Sequence, residues 1–96
     1  MQTNRNLSNL EIAELLRDVA AALSLSDGDN RFRIMAYDRA ADAIEHSSSE
    51  LKDMWLEHDL KKLPGIGGGI ASSIDELFKT GKVKHFQEVT KDIPFF

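Results

Sequence analysis

The stretch Leu63-Pro64-Gly65-Ile66-Gly67-Gly68-Gly69-Ile70-Ala71 decides how this chain folds. Pro64 cannot continue a helix before it, because its ring clashes with the preceding turn and it has no N–H to donate. Gly65 and Gly67 admit backbone conformations that a side chain would resist. Ile66, held between them, is apolar and plugs the turn onto a core. Ile70, Ala71 and Ile74 then restart an apolar stripe at helical spacing. The segment reads as a tight hairpin between two helices, with backbone amides gathered where the second begins. Free amides at a helix start favour an anion such as a phosphate.

Outward from the hairpin, almost everything reads as helix. Leu7-Ser8-Asn9-Leu10-Glu11-Ile12 carries a capping box, Ser8 with Glu11, and a hydrophobic staple between Leu7 and Ile12. Ile12, Leu15, Leu16, Val19 and Leu23 follow on one helical face. Ser26 to Asn30 break this helix, and Asp29 or Asn30 is expected to cap the next, over about Arg31 to His46. That helix buries Ile34, Tyr37, Ala41 and Ile44, with Ala36, Ala40, Ala41 and Ala43 permitting close contact. Ser47 and Glu50 have capping-box spacing before a short helix presenting Leu51, Met54 and Trp55. Asp59 is expected to cap the brief turn Leu60 to Leu63. The helix after the hairpin runs to about Thr80, where Gly81 is a left-handed stop. Val83, Phe86 and Val89 mark a last helix that Pro94 ends. The expectation is an all-α bundle of five or six helices, residues 1–96 as one domain. Its predicted core is Ile12, Leu16, Val19, Ile34, Tyr37, Ile44, Ile66, Ile70, Ile74, Leu77 and Phe86. The ending Asp92-Ile93-Pro94-Phe95-Phe96 packs back on the bundle or marks a piece of a longer chain; the second is expected.

No apolar run approaches the roughly 20 residues of a membrane span, and Met1-Gln2-Thr3-Asn4-Arg5 lacks a secretion signal's apolar stretch. With no cysteine, disulfide and thiolate chemistry are excluded, so a cytoplasmic protein is the default, nucleoid-associated in a prokaryote; a monomer is expected. The net charge of −4 argues against strong long-range attraction of a nucleic acid. Its distribution argues otherwise: residues 1–60 hold six Lys/Arg and twelve Asp/Glu (6 − 12 = −6), residues 61–96 six lysines and four acids (6 − 4 = +2). The positive excess lies with the hairpin.

Other chemistries fit poorly. No strand precedes the glycine run, so a dinucleotide loop fails on context, and no Gly-Lys-Ser/Thr makes a phosphate loop. His46, His58 and His85 are too widely spaced for a helical metal pair. Asp27-Gly28-Asp29 lacks the glutamate that closes a calcium loop. No serine has a nucleophile signature, so no catalytic residue is assigned.

The pattern from Leu60 to Ala71, hydrophobic-x-x-hydrophobic-Pro-Gly-hydrophobic-Gly-x-x-x-Ala, resembles the helix-hairpin-helix motif of DNA-binding proteins. Phe32-Arg33-Ile34-Met35-Ala36-Tyr37-Asp38-Arg39-Ala40-Ala41 and Thr80-Gly81-Lys82 extend the likeness over roughly residues 9 to 90. Together they resemble the N-terminal domain of family X, polymerase-beta-like DNA polymerases. The resemblance implies a helical bundle that grips the 5′-phosphate side of a DNA gap, and a parent protein that is itself a polymerase acting in repair. It also implies a monovalent cation, Na⁺ or K⁺, on the backbone carbonyls of Lys61, Leu63 and Ile66. Some members are deoxyribose-phosphate lyases. Their Schiff-base lysine matches Ser73 here and a phosphate-binding lysine matches Gly69, while Arg33 and Tyr37 match residues lining the lyase pocket. Asp38 stands where many relatives are basic.

The leading expectation is therefore a non-catalytic, sequence-nonspecific module for gapped or nicked DNA. Its candidate DNA-binding residues are Arg33, Lys61, Lys62, Gly65, Ile66, Gly67, Gly68, Gly69, Lys82 and Lys84. The alternatives are a lyase using a displaced lysine such as Lys79 or Lys82, and a protein-interaction domain using the acidic surface of the first three helices.

Overall fold

Helix α1, Asn9–Leu25, starts from the capping box its sequence predicts. The Ser8 hydroxyl accepts the Glu11 N–H at 3.1 Å, and the Glu11 carboxylate accepts the Ser8 N–H at 3.0 Å. The molecule is described by a computed structural model that covers residues 7–26 and 28–91. Residues 1–6, Asp27 and the tail Asp92 to Phe96, with its proline stop, lie outside the described residues.

Helix α2, Arg31–Glu45, lies most extensively against α1. Ala40 and Ala41 are fully buried and let the backbones approach. Ile34, expected in the core, is only half-buried, and Ala36, expected to permit close helix contact, is exposed. Every other predicted core residue is buried. Neither residue before α2 caps it in the expected way. The Asn30 side chain donates instead to the Leu23 carbonyl at 3.0 Å, and Asp29 accepts the Arg31 N–H at 3.2 Å. On the outside, Arg17 of α1 pairs with Asp42 and Glu45 of α2.

Helix α3, Leu51–Leu56, corrects a second cap. Ser47 and Glu50 form no box; the Ser47 hydroxyl accepts the Ser49 N–H at 3.1 Å. The Leu51 N–H goes to Asn9 Oδ1 at 2.7 Å, while Asn9 Nδ2 donates to the carbonyls of Ile44 and Ser49 at 3.2 and 2.8 Å. One side chain at the start of α1 thus pins the end of α2 to the start of α3.

Helix α3 ends in a Schellman motif: the His58 N–H reaches the Trp55 carbonyl at 3.0 Å and the Asp59 N–H reaches Met54 at 2.8 Å. His58 holds the left-handed position, at φ 60°, usually given to glycine. A 3₁₀ turn, Leu60–Lys62, follows; the Asp59 side chain does not cap it and pairs with Lys62. Helix α4, Gly68–Thr80, runs through the core on Ile70, Ala71, Ile74, Leu77 and Phe78. Gly81, at φ 90°, stops it as its sequence predicts. Helix α5, Lys84–Thr90, is started by Glu76, whose carboxylate accepts the Lys84 N–H at 2.9 Å, and buries Phe86. No strand occurs among the described residues.

Candidate nucleic-acid interface

The glycines of the hairpin divide by what the fold asks of them. Gly65 sits at φ +94°, and a Cβ there would lie 3.2 Å from Ala43 Cβ and 3.4 Å from the Arg39 carbonyl. Conformation and space both demand glycine. Gly67 differs from expectation: at φ −80°, ψ 168° it is ordinary extended backbone at the N-cap of α4. A Cβ at Gly67, Gly68 or Gly69 would meet nothing within 4 Å. Packing does not explain these three.

What they leave is bare backbone. Gly67 has no side chain to cap α4, and the helical ladder begins only with the Ala71 N–H on the Gly67 carbonyl at 2.9 Å. The N–H groups of Gly68, Gly69 and Ile70 therefore find no partner among the described residues. Four orphan donors at a helix start are normally met by a side chain, water or a ligand. Not every hairpin amide is free: the Ile66 N–H is committed to the Leu63 carbonyl at 3.2 Å, while Ile66 itself is the buried plug.

Two clefts flank this tip. One lies between α2 and the hairpin, with Ala36 and Arg39 facing Gly65, Gly67 and Gly69. Arg39 is exposed and makes no ion pair among the described residues. The sequence reading missed it; its signal was the spacing of Ala36, Arg39 and Ala43 at i, i+3 and i+7, the face of α2 that meets the hairpin. The other cleft lies between α3 and α4 and is lined by Trp55, His58, Lys61, Gly68, Ser72 and Asp75. There Trp55 stacks on Phe78, with centroids 5.0 Å apart and planes at 21°, and its indole N–H donates to Asp75 at 2.8 Å. That bond, then the Lys79 ammonium at 3.0 Å, holds the Asp75 carboxyl below the usual carboxylate range.

The remaining candidate cations separate into two groups. Lys61 is exposed beside the hairpin; Lys62 is next to it but spends its charge on Asp59 at 3.3 Å. Lys82 and Lys84 follow the far end of α4, about 18 Å along its axis from Gly68 at 1.5 Å per residue. Arg33 belongs with them, its guanidinium donating to His85 Nε2 of α5 at 2.7 Å. Beneath it Tyr37 packs edge-on against Phe86, centroids 5.6 Å apart. Burial pushes the Tyr37 phenol's pKa up, and Arg33 opposes this.

At the positions where lyases carry amines, the Ser73 hydroxyl donates to the Gly69 carbonyl at 3.2 Å and Gly69 is bare. Lys79 is tied to Asp75, and Lys82 is a full helix away from the glycines. Of the three carbonyls expected to hold a cation, that of Leu63 accepts the Ile66 N–H, and those of Lys61 and Ile66 accept no backbone hydrogen bond among the described residues. No helix among the described residues is long and apolar enough to cross a membrane.

The family model for the helix-hairpin-helix domain matches residues 7–83. The chain is also similar to the DNA polymerase/3'-5' exonuclease PolX of Bacillus subtilis (strain 168), with 34% identity over 84 residues. The match covers 88% of this chain and 14% of that relative.

Proposed function

The chain belongs to the helix-hairpin-helix domain family, and on that premise we propose that it is a sequence-nonspecific DNA-binding module for gapped or nicked DNA, serving a family X polymerase-like repair protein. One observation carries the reading. Three successive glycines that packing does not require leave unclaimed amides at the start of α4. Such a surface admits a phosphate to hydrogen-bonding distance, with the helix dipole adding attraction. Arg39 on one side and Lys61 on the other supply charge to the same strand. Arg33, Lys82 and Lys84 form a second contact zone, about five nucleotides away at roughly 3.4 Å of axis per nucleotide. The carbonyls of Lys61, Leu63 and Ile66 would hold Na⁺ or K⁺, which would add positive charge to the hairpin.

These contacts carry no base information, so binding is to backbone and not to sequence. With a net charge of −4, affinity falls within or below the nonspecific range of about 10⁻⁴–10⁻⁶ M at physiological salt. Fluorescence anisotropy with a gapped oligonucleotide across salt concentrations tests this. Neutralising about three phosphates gives a slope of log K against log salt near −3, from roughly −0.9 per contact. Arg39→Glu with Lys61→Glu weakens binding equally for unrelated sequences. Salt-independent binding, or loss confined to one sequence, would sink the proposal.

A further inference from the structure

At the end of α4 remote from the glycines, two clefts share Leu15, Asp18, Leu77 and Gly81 and run together as one groove. The groove lies between α1 and the α4–α5 turn. Its deeper part, about 260 Å³, is floored by Leu15, Val19, Leu77, Val83 and Phe86. It has room for one bulky apolar side chain. The α1 bank carries Glu11, Glu14 and Asp18, spaced i, i+3 and i+7 on one exposed helical face. None of the three enters an ion pair among the described residues. Glu11 is also held below its usual pKa by the Ser8 N–H. The opposite bank presents Lys82, Gln87 and Thr90.

We propose that this groove docks a basic amphipathic helix of a protein partner, a second surface away from the hairpin that shares only Lys82 with the proposed DNA contacts. A bulky apolar residue enters over Leu15 and Phe86, and Lys or Arg on adjacent turns of the same helix meet Glu11, Glu14 and Asp18. Charge complementarity selects the occupant. Three carboxylates with no ion-pair partner among the described residues repel a phosphate backbone and an acidic peptide alike, whereas a purely apolar segment would leave them facing it without counter-charge. Lys82 on the far bank sets the orientation, because the basic side of the helix must face α1. Helix-in-groove recognition of this kind reads anchors at helical spacing.

The test titrates the full chain, isotope-labelled for NMR, with a synthetic helical peptide carrying a leucine stripe flanked by lysines. Saturable binding is expected, with shifts centred on Leu15, Asp18, Leu77, Val83 and Phe86 and sparing Gly67 to Ile70. Glu14→Lys with Asp18→Lys, both exposed positions, should weaken it about tenfold, the size expected for reversing two surface charge pairs. A peptide of equal charge with serine in place of leucine should also bind about tenfold more weakly. Equal binding by the serine peptide would reduce the interaction to unspecific charge attraction and overturn the proposal. So would indifference to the charge reversal. Contacts from residues 93–96 to Phe86 in the free protein would assign the groove to the chain's own tail. A concentration-dependent dimer shifting the same resonances would assign it to a second copy. Either would overturn it too.

Discussion

Gly65 is required by the backbone, and Gly67, Gly68 and Gly69 are not; this contrast is where the functional argument is sharpest. Putting alanine at φ +94° costs about 1–2 kcal/mol, and at Gly65 the Cβ must also push against Ala43 at 3.2 Å. Gly65→Ala should therefore lower the melting temperature. Gly68→Ala and Gly69→Ala should hold stability or raise it, by up to about 0.5–1 kcal/mol each, yet weaken DNA binding because a methyl stands where the phosphate approaches. Thermal melts paired with anisotropy separate the two effects; Gly69→Ala that loses stability and keeps DNA affinity would mean that the glycines serve the fold. The glycine run itself was legible in the sequence. Which glycine the fold needs was not, since φ at Gly65 and Gly67 is set by how the hairpin rests on α2. Ser73 makes a second point at this scale. With no amine at Ser73 or Gly69 and Lys79 paired, borohydride should trap no adduct with an abasic-site oligonucleotide. A strong adduct lost on changing one lysine would restore the lyase reading.

Among elements, the informative failure is the cap of α3. Ser8/Glu11 and Ser47/Glu50 have the same spacing, yet only the first closes. The Ser47 N–H goes to the Ile44 carbonyl and its hydroxyl accepts the Ser49 N–H, and the helix starts instead at Leu51, whose N–H is taken by Asn9 from 42 residues away. Local spacing cannot report a partner that tertiary packing delivers. Asn9→Ala removes three hydrogen bonds and strands part-buried backbone groups at the α1–α2–α3 junction, at a cost of about 1–3 kcal/mol in chemical denaturation. A change within a few tenths of a kilocalorie would contradict the pinning role. The contact of α3 with α4 is expected to titrate. The Asp75 carboxyl has its folded pKa lowered, first by the Trp55 N–H and then by Lys79. Its contribution is present above the unfolded value of about 3.9 and is lost as pH falls through the folded one. Trp55 fluorescence and stability should therefore change together in acid below about pH 4, and Asp75→Asn should flatten that response. Equal acid sensitivity in Asp75→Asn would place the cause elsewhere.

Over the whole molecule, the all-helical architecture, the core and the hairpin were readable from periodicity and punctuation, because helical stripes and glycine–proline stops are local signals. The layout of charge was not. The six lysines of the second half count as one excess in sequence, but α4 sends Lys61 to its beginning and Lys82 and Lys84 to its end. Folding brings Arg39 of the acidic half to the glycine tip, while Asp59 offsets Lys62. The resulting molecule has bare amides at the start of α4, where the proposed phosphate site lies, and at its far end a groove with an acidic α1 bank and Lys82 on the other, so a net charge of −4 conceals surfaces of different character. Its central claim is that the start of α4 receives a DNA phosphate. The most direct measurement is an amide-resolved NMR titration with gapped, 5′-phosphorylated DNA. The expected result is that the amides of Gly68, Gly69 and Ile70 move first and furthest, with Arg39 and Lys61 following and the α1 face unmoved. Shifts confined to α1 and α2, or none at millimolar DNA, would contradict it.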